Sequence, residues 1–432
     1  MCSFGGWLAL PVADYPATTI TAGSFTVDVI GTALPSNLLV TKALVVPLVV
    51  FACLALTAPH LFRGFRFKAI DAAMAAFCLS PLLAYAAGKV PIASALAQAG
   101  YLAGVWGGTW MTGRLILRSQ PGRRGLITAI AASGLVLVPA AILEGLHSPW
   151  FYSAAYGTHP FEFNGAARYF GFRPLAFFEN GNQYGIWIAM AALAAVFRAL
   201  RSRPQSWIDV AIAGLLVVCA IASQSVGAII LLVLGSGWLL ASARIRRIAI
   251  IASGLLVAIG GTAYLSGKVP LRSWALSTPA GQTTAAVLRA TGRESLGWRV
   301  QRDQTSLPMI YRAPLTGYGT WDWWRPLKSH PWGLPLLLAG QFGLLSLALV
   351  TIALLAGAIR EMWQGSRSIL PVVVILAATD AWLNSFVYFP AILAAAAMAD
   401  PFWGLPHDTG HEGDGEETAL AMIPQAGTVD GT

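Results

Sequence analysis

Charge is the scarcest ingredient of this sequence: 11% of its 432 residues are Asp, Glu, Lys or Arg, where a water-soluble domain carries about a quarter. That scarcity excludes a soluble globule. Acidic residues are the rarer sign, 19 against 28 Lys and Arg, which leaves a formal net charge of +9. The basic residues fall in short clusters between apolar runs, a pattern that reports membrane topology and not a nucleic-acid footprint. No nucleic-acid partner is expected. Cysteine is also sparse. Cys2, Cys53, Cys78 and Cys219 are too few and too scattered for a disulfide framework or a redox motif. The chain has no Asp-x-Asp pair, no P-loop and no His/Cys/carboxylate spacing suited to zinc, which disfavours metal-dependent and nucleotide-driven reactions. No metal or cofactor is expected. Nor does a basic region precede the first apolar stretch, Met1 to Leu10, so a cleavable leader is not expected and the mature chain is expected to be the whole chain. No repeat of solenoid or inverted-half type is visible.

What the chain has in abundance is hydrophobic surface, 56% of residues, with a mean hydropathy of +0.64. Stretches able to cross a hydrocarbon core of about 30 Å, which takes about 20 helical residues, recur roughly eleven times. They run from Leu38 to Thr57, Ala69 to Ala87, Pro91 to Thr112, Leu126 to Leu143, Tyr184 to Phe197 and Trp207 to Ser223. Val226 to Ala243, Ile248 to Leu265, Leu334 to Ala358, Ile369 to Phe386 and Ala391 to Leu405 complete the series. The expected fold is an all-α polytopic bundle of about 11 to 12 spans over residues 1–405. Residues 406–432, rich in Gly, Asp, Glu and Thr, read as a disordered acidic cytoplasmic tail, and their Glu412-Gly-Asp414-Gly-Glu416 alternation as solvated chain, not a metal loop.

Five basic clusters set the orientation: Arg63, Arg66 and Lys68; Arg114, Arg118, Arg123 and Arg124; Arg198, Arg201 and Arg203; Arg244, Arg246 and Arg247; Arg360 and Arg367. With alternating spans all five share one side, which the positive-inside bias makes cytoplasmic. Residues 1–37 carry Asp14 and Asp28 and no basic residue, which suits an external or re-entrant segment. Two long connections then lie outside, Glu144 to Gln183 and Ser266 to Gly333. The second holds Lys268, Arg272, Arg289, Arg293, Arg299, Arg302, Arg312, Arg325 and Lys328 against Glu294, Asp303 and Asp322. Long loops are partly exempt from the bias, so one account is a neutral consequence of loop length. The other is an anion site.

Arginine presents a planar fork of donors that fits phosphate oxygens, so a group of arginines beyond the membrane suggests a phosphate or pyrophosphate ligand. Arg289 and Arg293 are four apart, Arg299 and Arg302 three apart, and a helical stretch would project each pair from one face. The plain alternative is a loop helix with solvated arginines paired to Glu294 and Asp303. Of the six histidines, His330 alone sits in this loop, just before the span at Leu334 and inside the run Trp321-Asp-Trp-Trp-Arg-Pro-Leu-Lys-Ser-His330-Pro-Trp. Interfacial tryptophans there fix the depth of the backbone, and His is suited to take a proton near neutral pH. Within the spans, Lys42 can snorkel, and Asp380, with Asn384 four residues on, either lines a polar cavity or holds helices together.

These residues carry a resemblance. Thr291-Gly-Arg293-Glu-Ser-Leu-Gly-Trp298, then Ile310-Tyr-Arg-Ala-Pro314-Leu-Thr-Gly317-Tyr-Gly319, Ser329-His330 and Gly340-Gln-Phe-Gly343 resemble the signature of the O-antigen ligase and O-antigen polymerase superfamily. Arg168-Tyr-Phe-Gly171-Phe-Arg173, Asn180-Gly-Asn182-Gln-Tyr-Gly185 and Ser223-Gln-Ser225-Val-Gly227 look like its earlier blocks, so the similarity covers roughly Arg168 to Phe402. At one position the pattern differs: Pro331 follows the histidine where members commonly have Asn, Ser or Gln. The resemblance implies a bacterial inner-membrane glycosyltransferase. It would move a glycan from an undecaprenyl-diphosphate carrier to an acceptor hydroxyl on the periplasmic side, with a lipid or glycan as acceptor and membrane lipids around it. In that reading His330 orients or deprotonates the acceptor. Arg293, helped by Arg289, Arg168, Arg173, Arg299, Arg302 or Arg312, stabilises the leaving diphosphate, and Glu294 is the reserve base. A polymerase of the same superfamily is the alternative, and a transporter or flippase of anionic glycolipid a more distant one.

Overall fold

The computed structural model describes residues 65–148, 150–151, 171–176, 178, 181–201, 206–267, 277–290, 295–320, 323–327, 329, 331–383 and 388–399, with the short segments 19–22 and 25–28 and a few isolated positions before 65. The expected span at 38–57, Lys42 and the acidic tail lie almost wholly outside the described residues. So do Arg168, Arg293, Glu294 and His330.

The described chain is helical apart from one antiparallel hairpin, β1 (Thr19–Ala22) and β2 (Phe25–Asp28), paired Thr19 to Asp28 through Ala22 to Phe25. The helices are α1 (Ala69–Leu79), α2 (Pro81–Ala86), α3 (Ile92–Leu102), α4 (Gly108–Ile116), α5 (Gln120–His147), α6 (Gly181–Arg201), α7 (Trp207–Ala222), α8 (Val226–Leu240) and α9 (Ala243–Leu265). There follow α10 (Pro279–Ala290), α11 (Ser295–Arg312), α12 (Leu334–Phe342), α13 (Leu344–Trp363), α14 (Leu370–Leu383) and α15 (Phe389–Ala397). Four of these, α5, α6, α9 and α13, are long and apolar enough to cross a membrane, and the protein is a membrane protein on that ground. Four shorter apolar helices, Ala69–Leu79, Trp207–Ala222, Val226–Leu240 and Leu370–Trp382, accompany them.

Several expected spans are broken, each for a local reason. Pro81 starts a new helix after Ser80, because proline fits the first turn of a helix and not its interior. Ile92 to Ile116 stays helical but passes through a π-helical turn at Ala103–Gly107. The stretch from Leu334 to Ala358 is two helices, divided at Gly343, whose φ of +91° no L side chain adopts without strain. Pro139 lies within α5 without ending it, as neighbouring membrane helices permit.

Small residues let α4, α5, α6, α13 and α15 approach closely. A Cβ on Gly113 of α4 would meet the Ala396 Cβ of α15 at 2.6 Å, and one on Gly134 of α5 the Ala191 Cβ of α6 at 2.5 Å. Apolar driving force between helices is weak in lipid, so such backbone approach supplies the packing. Along α6, every residue from Tyr184 to Ala195 is buried, which makes it the bundle's centre.

Polar ties gather at the end that carries the basic clusters. Arg114 grips Asp71 through Nε at 2.8 Å and Nη2 at 3.0 Å, and Trp110 Nε1 donates to the same carboxylate at 2.8 Å. Arg114 Nη2 also reaches Arg66 O. Arg123 pairs with Glu361 at 2.8 Å and donates to Ala397 O, Arg246 donates to Ser366 O, and Arg198 bridges Thr128 and Asp209. The contacts of Arg114, Arg123 and Arg246 join four of the five expected clusters at a common end of the bundle, and those of Arg198 tie α6 to α5 and α7.

Candidate functional site

The arginine-bearing connection before Leu334 folds as two helices. Arg289 falls on α10, near its end at Ala290, while Arg299, Arg302 and Arg312 fall on α11. Arg293, expected to share a helix face with Arg289, lies outside the described residues. Arg299 and Arg302 do share α11, as their spacing predicts. Arg312 is exposed in its last turn, where a cation complements the helix dipole.

The inner face of α11 seats the helix. Leu307 and Ile310 pack with Trp323, Trp324, Leu336, Leu337 and Ala339 in a compact apolar cluster. Trp323 Nε1 donates to Leu337 O, and the ring lies so close to Gly340 that no side chain fits there.

Asp303, buried one turn beyond Arg299, ties three elements together. Its carboxylate accepts the Tyr264 hydroxyl of α9 at 2.7 Å, the Trp332 N–H, and the Gly333 N–H at 3.2 Å, which opens α12. The Arg299 guanidinium lies 4.9 Å over the Trp332 ring, a cation–π contact. Burial pushes the Asp303 carboxyl above the ordinary carboxylate range, and its three donors and the Arg299 charge oppose that rise. Burial likewise pulls the half-buried Arg302 guanidinium below its usual value. The loop segment that continues from His330 through the buried Pro331 to Trp332 is thus clamped against the arginine face of α11. The sequence offers Asp303 only as a surface counter-ion for arginine, and gives no signal for Tyr264.

Two sequence blocks singled out for their glycines prove to be docked on each other. Tyr318 N donates to Gly340 O and Gly319 N to Gln341 O, both at 2.8 Å, and Leu344 N donates to Pro314 O at 2.6 Å. Gly317, with φ +61°, lies against the Gln341 carbonyl, and Gly343 against that of Leu315. Lys89 Nζ holds Gly317 O at 2.7 Å and Gln98 Nε2 holds Gly319 O at 2.7 Å. The loop is therefore stitched to α12 by backbone bonds and to the α2–α3 region by the Lys89 and Gln98 side chains, with glycines at the closest approaches.

A second polar assembly unites the earlier blocks. Arg173, fully buried, donates Nη2 to Asn182 Oδ1 at 2.7 Å and Nε to Ser223 O at 3.1 Å, and its side chain lies flat on Gly181. Ser225 Oγ donates to the same Asn182 oxygen at 3.3 Å. Between the two serines Gln224 holds φ +52°, a strained conformation for a residue with a side chain. Beside this, Glu144 at the end of α5 accepts four backbone N–H groups: Trp150 and Phe151 at 3.0 Å each, Leu175 at 2.7 Å and Ala176. Sequence reading takes Glu144 as the start of a loop and misses it. Asp380 is buried and accepts the Tyr388 hydroxyl at 2.6 Å, so of its two expected roles the described contact is the one that joins helices. No family model, no curated protein and no solved structure matches the chain.

Proposed function

We propose that this protein is a metal-independent membrane glycosyltransferase of the O-antigen ligase type, with some eleven spans. In this reading it moves a glycan from an undecaprenyl-diphosphate carrier to an acceptor hydroxyl on the periplasmic side of a bacterial inner membrane. The observation that carries the reading is the Asp303 clamp. It fixes the chain that follows His330 beside Arg299, at the opposite end of α9 from its basic cluster Arg244, Arg246 and Arg247.

The acceptor hydroxyl, oriented or deprotonated by His330, attacks the anomeric carbon of the donor sugar. The new C–O bond forms as the bond to the diphosphate breaks, the proton passes to the imidazole, and the anomeric centre inverts. Arg293, with Arg289, Arg168, Arg299, Arg302 and Arg312, meets the growing charge on the leaving diphosphate, which is where fixed cations lower the barrier. Glu294 stands as reserve base. Arg173, already bound to Asn182 and Ser223, positions the wall of the site. Transport fits less well, because Asp71, Glu361 and Asp380 are held by Arg114, Arg123 and Tyr388 and a transporter keeps such groups for its path.

The test is transfer by purified protein given lipid-diphosphate donor, first alone and then with lipid A core as acceptor. His330→Ala and Arg293→Ala are each expected to abolish product while expression is normal, and EDTA to change nothing. Full turnover in either variant removes that residue from the mechanism. A polymer from donor alone identifies a polymerase; a capped lipid identifies a ligase.

A further inference from the structure

At the basic-cluster end of α9, Arg246 is 2% exposed although it stands at the rim of the bundle. Its Nη1 donates to Ser366 O at 2.8 Å, while its Nε meets no acceptor. Arg367, of the same sign, directly follows Ser366 in the chain. Among the described residues its acceptor is a neutral carbonyl, which does not offset the charge. Elsewhere at this end Arg114 has Asp71, Arg123 has Glu361 and Arg198 has Asp209.

The surroundings add positive potential. Arg244 and Arg247 are exposed in the same first turn, which holds no acidic residue, so three cations oppose the α9 dipole where an anion is favoured. The 366–369 connection then leads into the N-terminus of α14, with Ser366 Oγ accepting from Ser368 N and Ser368 Oγ from Leu370 N, each at 3.2 Å. The N-terminal turn of α9, with its three arginines, is thus tied to the segment that carries Arg367 and leads into α14, a setting that favours an anion. Directly along α9 from this point Ile245, Ile248 and Leu255 are 59%, 58% and 58% exposed, so whatever fills the site has hydrocarbon for a neighbour.

We propose that the exposed Arg367, Arg244 and Arg247, backed by the charge of the covered Arg246, bind the phosphate of an anionic phospholipid whose acyl chains lie along α9. The site needs only that α9 be a membrane helix, and stands or falls apart from the glycosyl-transfer reading. Basic pockets between helices at a membrane surface recognise such head groups, each arginine contributing about five-fold in affinity.

The full-length protein in neutral detergent is titrated with phosphatidylglycerol, phosphatidylcholine or inorganic phosphate, following thermal unfolding and counting retained lipid by native mass spectrometry. Phosphatidylglycerol is expected to raise the Tm of the wild type and to remain bound; the other two are not. Arg246→Gln and Arg367→Gln should each need about five-fold more phosphatidylglycerol for the same shift, while Arg124→Gln, in a different basic cluster, titrates as the wild type does. If Arg246→Gln does not fold, the exposed Arg367 decides the matter alone. Wild-type titration by Arg367→Gln, an equal shift with phosphatidylcholine, or a deficit in Arg124→Gln matching that of Arg367→Gln would each overturn the proposal. A full shift with inorganic phosphate would replace it by a free-anion site.

Discussion

Asp303 makes the plainest demand of any single residue, because three donors from two distant segments converge on one covered carboxylate. Asp303→Ala strips each of them of its acceptor, at about 1.5–3 kcal/mol for a bond to a charged group, and is expected to release the Trp332–Gly333 segment from α11. Asp303→Asn keeps an oxygen toward the two N–H groups and is expected to hold. Hydrogen exchange at the Trp332 and Gly333 amides separates the two outcomes: full protection in the alanine variant refutes the clamp. A pH dependence follows from the same group. Its carboxyl is raised in the folded state, so protonation favours docking. That share of stability is complete below the ordinary aspartate value near 3.8 and is lost as pH rises through the elevated folded value. After correction for intrinsic exchange, wild-type protection should increase on acidification from neutrality, and the asparagine variant should lack the trend. From the sequence one reads Asp303 as a partner for arginine on a solvated helix. Its burial depends on Tyr264 and Gly333, distant in the chain, and no local pattern announces such a meeting.

Among the elements, the paired glycine segments around Gly317 and Gly343 set how the loop meets the bundle. Gly343→Ala forces a Cβ onto the Leu315 carbonyl at a φ of +91°, which combines backbone strain of about 1–3 kcal/mol with the loss of close approach. It should separate α12 from the Pro314–Gly319 segment and lower thermal stability, whereas Gly254→Ala, with open space around it, should not. Equal melting of the two variants counts against this account. The glycines themselves were legible as unusual, and so was the helical character of nearly every apolar run. The breaks were not, because a hydropathy window sees the run from Leu334 to Ala358 as uniform and is blind to one residue's φ.

For the whole molecule, the basic clusters were the most informative text in the chain. Their expected common side agrees with contacts that tie Arg66 to Arg114, Arg123 to Glu361 and Arg246 to Ser366. What the sequence conceals is that several of these arginines are buried structural members. Asp71→Ala removes the carboxylate that the covered Arg114 grips, and should cost about 3–5 kcal/mol, while Asp71→Ala with Arg114→Leu should recover most of the loss. Unfolding in detergent measures both; a double variant no better than the single one would show that the pair acts through something other than charge.

One helix of the bundle has a mechanical consequence. No residue of the 18-residue apolar window of α9 is covered by the rest of the protein, while Arg246 moors one end to Ser366 and Tyr264 the other to Asp303. At 1.5 Å per residue its 23 residues span about 34 Å, slightly more than an average hydrocarbon layer. A bilayer of shorter acyl chains makes such a rod lean, and the lean is transmitted to the hydroxyl that grips the arginine helix. Membrane thickness is thereby expected to be felt at the Asp303 clamp.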